Sequence, residues 1–132
     1  MTSISKTRLF ATLPPEPTLA VRPAAAKVVV LDDDPTGTQT VHGIPVLTEW
    51  SAVTLESELR DPASCFYILT NTRAFPVDRA CEINREIGGR LSKASARTGR
   101  KIAVVSRSDS TLRGHYPAET DALAAALGGG FD

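Results

Sequence analysis

The sequence lacks the features that mark three common classes of protein. Its 132 residues include fifteen basic and fifteen acidic side chains, so the formal net charge is zero, whereas nucleic-acid-binding proteins usually carry a basic excess or stripe. No apolar run approaches the roughly 18–20 residues of a membrane-spanning helix. Two cysteines, Cys65 and Cys81, are too few for a metal or disulfide framework. We expect one modest cytoplasmic domain with neither a nucleic-acid nor a membrane partner, and with both cysteines reduced in the core.

Glycine-rich phosphate loops are also missing. Neither G-x-x-x-x-G-K-[ST] nor G-x-G-x-x-G occurs anywhere in the chain. We therefore expect no nucleotide cofactor and no metal ion bound by this chain on its own.

What the sequence does contain is three apolar runs, each followed directly by a polar cluster. The runs cover residues 28–31, 66–69 and 102–105. Short continuous apolar runs with helical patterns between them indicate buried strands of a parallel sheet. Ligands of such sheets bind beyond the carboxyl ends of the strands, where the three clusters would meet. The clusters therefore predict a site for a small, hydroxylated, anionic ligand.

The local signals predict an α/β fold: an open, mainly parallel, Rossmann-like sheet with flanking helices. Capping and proline signals start helices at Ser51, Pro76 and Pro117, and glycines end the last two at Gly99 and Gly128. The Gly88–Gly89 pair inside the long helix suggests close packing against the sheet. The strands are expected at about 27–31, 65–69 and 101–106, with 44–47 as an edge strand or turn because of its proline.

Residues 1–26 differ from the rest and look like a proline-containing leader. Prolines 14, 15, 17 and 23 interrupt the helix that a transit peptide would need. Residues 27–132 would then be an incomplete domain, since few strands leave an open sheet edge. Such an edge also suggests self-association.

Asp32, Asp33 and Asp34 form the sharpest local feature. Three adjacent carboxylates repel one another and need a cation, an arginine or a hydroxyl-rich ligand to compensate. Strand alternation allows two of them to face a ligand, and Asp33 and Asp34 are the preferred pair. The alternative is a simple turn, because Asp before Pro-Thr-Gly is common turn chemistry.

The other candidate ligand-binding residues lie in the same three clusters. Thr36 offers a hydroxyl beside a glycine that permits close approach. Arg73 follows the second strand and could bind a carboxylate with two parallel hydrogen bonds. Arg107 and Arg113 flank a polar segment in which Asp109 could orient them or bind hydroxyls. His115 could be an acid or base, but a structural role is the simpler interpretation.

One partial resemblance is to haloacid-dehalogenase-type phosphatases, through the Asp-x-Asp-x-Thr pattern at residues 32–36. It would make Asp32 a nucleophile and Asp34 an acid/base. A lysine in a matching context and a later acidic pair for Mg²⁺ are missing.

A longer resemblance is to the four-carbon acid sugar kinase family. It rests on LDDDPTGTQTV (31–41), LTNTR (69–73) and SRSDSTLRGHYPAET (106–120). The resemblance implies ATP- and Mg²⁺-dependent phosphorylation of a hydroxyl on threonate, erythronate or an oxo-tetronate. It implies an N-terminal substrate-binding domain, part of which this chain would supply, and a nucleotide-binding domain that the chain lacks.

The resemblance also implies roles for the candidate residues. Arg107 and Arg113, with Arg73, would bind the substrate carboxylate. Asp33 and Asp34 would bind hydroxyls, and Asp34 would position or deprotonate the attacking one. Since the second domain is missing, the alternative to a catalytic role is a truncated, non-catalytic remnant.

Overall fold

Four parallel strands form the single sheet of the described part of the chain. The computed structural model describes residues 26–109 and 113–129, apart from the side chains of Gln39 and Thr40. The strands are β1 (Lys27–Asp32), β2 (Val46–Leu47), β3 (Cys65–Leu69) and β4 (Ile102–Arg107), in the spatial order β2-β3-β1-β4. All three pairings are parallel. The predicted α/β class is confirmed, and of the stretch 44–47, expected as an edge strand or a turn, Val46–Leu47 form an edge strand directly after the proline.

Three α-helices occur within the described residues: α1 (Ala52–Arg60), α2 (Val77–Thr98) and α3 (Ala118–Leu127). The side chain of Ser51 accepts a hydrogen bond from the Thr54 amide at 3.2 Å, which is the predicted cap of α1. Gly99 and Gly128 end α2 and α3 with positive φ, a conformation that glycine adopts without a steric penalty. The leader predicted for 1–26 lies, except for Ala26, outside the described residues.

The core forms where the helices pack on one face of the sheet. Alternate residues of β1 and β3 point to this face, and leucines and isoleucines of all three helices cover them. The cluster contains Val29, Leu31, Leu55, Leu59, Phe66, Ile68, Ile83, Ile87, Leu91, Ala94 and Leu123. Packing on this face holds the carboxyl ends of β1, β3 and β4 side by side.

Two details of the predicted packing are wrong. A side chain at Gly88 would place its Cβ 2.8 Å from the Cβ of Ala126 and 3.3 Å from Leu123, so this glycine permits close packing against α3 and not against the sheet. Cys65 is free but only partly buried, because it points away from the helices. Burial still raises the pKa of its thiol. Cys81 is free and buried, as expected.

Lys27, at the first position of β1, is fully buried. Its Nζ donates hydrogen bonds to the carbonyl oxygens of Glu58 and Asp61, the latter at 3.1 Å, and lies 3.5 Å from Glu58 Oε1. The ammonium also lies 5.4 Å from the centre of the Phe66 ring. Lys27 therefore joins the amino end of β1 to the last turn of α1, where carbonyls favour a cation.

Among residues 26–109 and 113–129, no helix has both the length and the apolar character needed to span a lipid bilayer.

Candidate functional site

The polar segments after β1, β3 and β4 meet at the carboxyl edge of the sheet. The parallel register aligns Asp32 of β1 with Leu69 of β3 and Arg107 of β4. Side chains separated by up to 75 positions in the sequence therefore come into contact. The resulting charged cluster consists of Asp32, Asp33, Asp34, Arg73, Arg107 and Asp109.

Arg73 lies at the centre of this cluster. It belongs to a short 3₁₀ helix (Thr72–Ala74) that follows β3, and Asn71 turns the chain into that helix with a φ of 52°. Its Nη2 donates to Asp33 Oδ1 at 2.8 Å and its Nη1 donates to Asp34 Oδ2 at 2.9 Å. Asp109 Oδ2 lies 3.8 Å from Arg73 Nη2. The hydrogen bond to Asp33 and the neighbouring negative charges raise the pKa of Arg73 further above its ordinary value.

Arg107 forms a second ion pair, with Asp32. Arg107 Nη1 lies 2.7 Å from Asp32 Oδ2; the Asp32 side chain is fully buried, while 49% of the Arg107 side chain is exposed. A Cβ on Gly37 would lie 1.6 Å from Arg107 Nη1 and 2.3 Å from Asp32 Oδ2. Only glycine leaves room for this ion pair so close to the backbone.

Asp33, which follows β1, connects the loops after β3 and β4. One of its oxygens binds Arg73, and the other accepts a hydrogen bond from the Asp109 amide at 3.0 Å. The Asp33 side chain is only 3% exposed. Because both oxygens have protein partners, Asp33 holds the site together more than it presents a free acceptor.

Asp34 is the more accessible of the two carboxylates that Arg73 binds. Its Oδ1 accepts hydrogen bonds from the Thr36 amide at 2.9 Å and the Thr36 hydroxyl at 2.8 Å. These two bonds, helped by the positive charges of Arg73 and Arg107, lower the pKa of Asp34 below its ordinary value of 3.8. Asp34 is therefore ionised at neutral pH. Both of its oxygens also have protein partners, but its side chain is 25% exposed, so a ligand hydroxyl can still donate a hydrogen bond to it.

The remaining predicted residues lie at the rim of the cluster. Thr36 is exposed, and its hydroxyl is engaged with Asp34. Arg113 is exposed and forms no ion pair with any residue in the described ranges. His115 Nε2 lies 2.7 Å from the carbonyl oxygen of Phe75, consistent with a structural role.

Two contributions were missed by sequence reasoning. Asp32 is not among the predicted ligand-binding residues. Its side chain nevertheless pairs with Arg107 and accepts a hydrogen bond from the Asp34 amide at 3.0 Å. Glu119 is not among the candidate residues of the sequence analysis, yet it is buried and accepts a hydrogen bond from Ser108 in the loop after β4. No local signal separates Glu119 from Asp121, an exposed acid of the same helix turn, because only the packing of the helix decides which of the two is buried.

A cleft of about 380 Å³ opens beside the charged cluster. Its lining includes Pro35 from the β1 loop, Thr70 and Asn71 from the β3 loop, and the aromatic side chains of Trp50 and Phe75. A larger cavity of about 540 Å³ lies between β4 and α3. None of the clustered aspartates or arginines lines either cavity, but the smaller cleft is lined by residues of the β1 and β3 loops that carry the cluster, which makes it the better candidate for a ligand of these groups.

Within residues 26–109 and 113–129 no group of three or more histidine, cysteine, aspartate or glutamate side chains is arranged to hold a metal ion. Arginines supply the positive charge among the clustered carboxylates: Arg73 forms ion pairs with Asp33 and Asp34, and Arg107 forms one with Asp32.

Acid should weaken the fold in a defined pH range. The Thr54 hydroxyl and the Ser51 amide lower the pKa of Glu49 below its ordinary 4.5. A carboxyl with a lowered pKa in the folded state stabilises the fold above its unfolded pKa, and that contribution is lost as the pH falls through the folded value. We expect the unfolding free energy to decrease below pH 4.5, and to decrease less steeply in Glu49→Gln. Urea titrations between pH 3 and 7 measure this, and equal slopes in both proteins would contradict it.

A parallel α/β sheet whose carboxyl edge gathers carboxylates and guanidinium groups beside a small cleft is typical of domains that bind small polar ligands. Comparison with known families agrees with this class. The sequence model of the sugar-binding N-terminal domain matches residues 28–131, most of the chain. The chain therefore belongs to the sugar-binding N-terminal domain family, which is the N-terminal domain of four-carbon acid sugar kinases. No curated protein and no solved structure matches it.

Proposed function

We propose that this chain supplies the substrate-binding residues of an ATP-dependent kinase that phosphorylates a hydroxyl of a four-carbon sugar acid, such as threonate, erythronate or an oxo-tetronate. The observation that carries the proposal is the convergence of Asp33, Asp34, Arg73, Arg107 and Asp109 at one sheet edge. Membership of the sugar-binding family supports the substrate class.

The carboxylates would bind the hydroxyl groups of the sugar acid. Asp34, which is 25% exposed, is the best placed of the three aspartates after β1. An ionised carboxylate accepts strong hydrogen bonds from hydroxyls. Its lowered pKa makes it a weak base, so its main contribution would be to orient the attacking hydroxyl, and positioning is what phosphoryl transfer chiefly needs.

The arginines would have two different roles: holding the aspartates in place and binding the substrate carboxylate. Arg73 uses both of its terminal nitrogens on Asp33 and Asp34, so it would keep these carboxylates in place. Arg107 uses Nη1 on Asp32 and is half exposed, which leaves other donors for a ligand. Arg113 is exposed at the rim. Arg107 and Arg113 are therefore the better candidates to bind the substrate carboxylate, with Arg73 as their support.

We expect this chain to contribute little to the binding of ATP or Mg²⁺. The sequence has no phosphate-binding glycine loop, and the described residues offer no group of metal ligands. In the proposed enzyme both would be bound by a nucleotide-binding domain.

Calorimetry with the purified chain tests the proposal. We expect threonate or erythronate to bind, and two analogues to bind much more weakly: threitol, which lacks the carboxylate, and succinate, which lacks the hydroxyls. Arg107→Ala should reduce threonate affinity roughly tenfold or more, because a hydrogen bond to a charged group contributes about 1.5–3 kcal/mol. Arg97→Ala, which removes an exposed helical arginine bound to Glu56, is the matched control. Equal affinity for threonate and threitol would contradict the proposal, and so would an unaffected Arg107→Ala variant.

The alternatives are less well supported. A phosphatase would use Asp32 as an accessible nucleophile, but Asp32 is fully buried and bound to Arg107. A truncated, non-catalytic remnant would bind sugar acids weakly or would not fold on its own, so weak threonate binding or the absence of cooperative unfolding would favour it. Self-association through the sheet edge and a cytoplasmic location remain predictions.

A further inference from the structure

Glu119 is a buried carboxylate that the proposed chemistry does not use. It lies in the first turn of α3 and is 1% exposed. Its Oε1 accepts a hydrogen bond from Asn84 Nδ2 at 3.0 Å, and its Oε2 accepts one from Ser108 Oγ at 2.6 Å. In the described part of the chain no lysine or arginine lies within ion-pair distance of it.

A buried carboxylate lowers the stability of the fold unless other groups compensate its charge, because moving a charge out of water costs free energy. Packing alone would be served better by an apolar side chain. The start of α3 offers some compensation through its positive end, and Asn84, itself anchored by a hydrogen bond to the Ala80 carbonyl at 3.0 Å, fixes one oxygen. The other oxygen is thereby directed at Ser108.

Ser108 lies between two residues of the site. Arg107, on one side, binds Asp32, and Asp109, on the other, donates its backbone N–H to Asp33. A serine held at its hydroxyl restricts the backbone of both neighbours. The contacts therefore run from α2 through Asn84 and Glu119 to the loop after β4.

We infer that Glu119 is a positioning residue: through Ser108 it holds the loop after β4 so that Arg107 and Asp109 meet the aspartates of β1. Its effect on ligand affinity rests on the proposed function, whereas its effect on the loop does not.

The test uses Glu119→Gln, which keeps the shape and one acceptor oxygen but places an N–H₂ donor toward Ser108 or Asn84. Ser108→Ala removes the other partner, and Ser108→Thr restores a hydroxyl. Asp121→Asn is the control, since it removes an exposed charge from the same helix turn. Two quantities are measured: hydrogen exchange of the Asp109 amide by NMR, and threonate affinity by calorimetry.

We expect Glu119→Gln and Ser108→Ala to exchange the Asp109 amide about tenfold faster and to bind threonate about tenfold more weakly, the loss expected for a hydrogen bond to a charged group. Ser108→Thr and Asp121→Asn should resemble the wild type. Unchanged exchange in both Glu119→Gln and Ser108→Ala would overturn the inference. Faster exchange with unchanged threonate affinity would also overturn it, because the loop would then not position the site. If the wild type binds no threonate, the proposed function fails, while the exchange rates still decide whether Glu119 holds the loop.

Discussion

The Arg73→Ala variant is expected to lose threonate binding and about 3 kcal/mol of unfolding free energy. Arg73 is the cation that Asp33 and Asp34 share, and Asp33 is almost fully buried. Removing one partner of a buried ion pair typically costs about 3–5 kcal/mol, because the other charge is left uncompensated. The lower end of this energy range applies because solvent partly screens the pair: 20% of the Arg73 side chain and 25% of the Asp34 side chain are exposed.

Urea denaturation measures the loss of stability, and calorimetry with threonate measures binding. Arg60→Ala is the matched control: it removes an arginine of an exposed ion pair with Glu56, which should cost less than about 1 kcal/mol. Arg73→Lys keeps the charge but cannot reach two carboxylates with fixed geometry, so it should recover part of the stability and little of the binding. If Arg73→Ala were no less stable than Arg60→Ala, the bridging role would be wrong.

The largest effect on stability is expected for Lys27→Ala, about 4 kcal/mol. The ammonium of Lys27 is fully buried, and the carbonyls of Glu58 and Asp61 depend on it for a hydrogen bond. Alanine would leave these acceptors without a donor and would open a cavity beside Phe66. Lys27→Met should lose less unfolding free energy than Lys27→Ala, because the methionine side chain fills most of the space that the lysine occupies.

Thermal and urea unfolding with circular dichroism measure this prediction. Lys93→Ala, which truncates an exposed lysine of α2, serves as the control and should change the unfolding free energy by less than about 0.5 kcal/mol. A Lys27→Ala protein as stable as Lys93→Ala would mean that the buried ammonium contributes nothing net to the fold.

The strands and helices could be predicted because their signals are local. The apolar runs mark β1, β3 and β4, and Ser51, Gly99 and Gly128 mark helix ends without reference to the rest of the chain. The meeting of the polar clusters also followed from one general property, namely that parallel strands share a carboxyl edge.

The pairing within the site could not be predicted, because it depends on strand order. Asp32 meets Arg107 only since β1 lies between β3 and β4 with this register. Lys27 was missed for a similar reason: a lysine at the start of a strand is usually exposed, and only the docking of α1 buries it. Gly88 was assigned to the sheet because a helical glycine indicates a close neighbour without saying which one.

The charged cluster can bind a ligand only when the whole sheet has formed. Asp32 and Arg107 are 75 positions apart in the sequence, and Asp33 and Arg73 are 40 apart. No partly folded chain that leaves β3 or β4 undocked would present these groups together. A sugar acid at a hundred times its dissociation constant would add about 2.7 kcal/mol to the stability of the native state. Under the proposed function, the metabolite level would thus set how much of this chain survives unfolding and proteolysis.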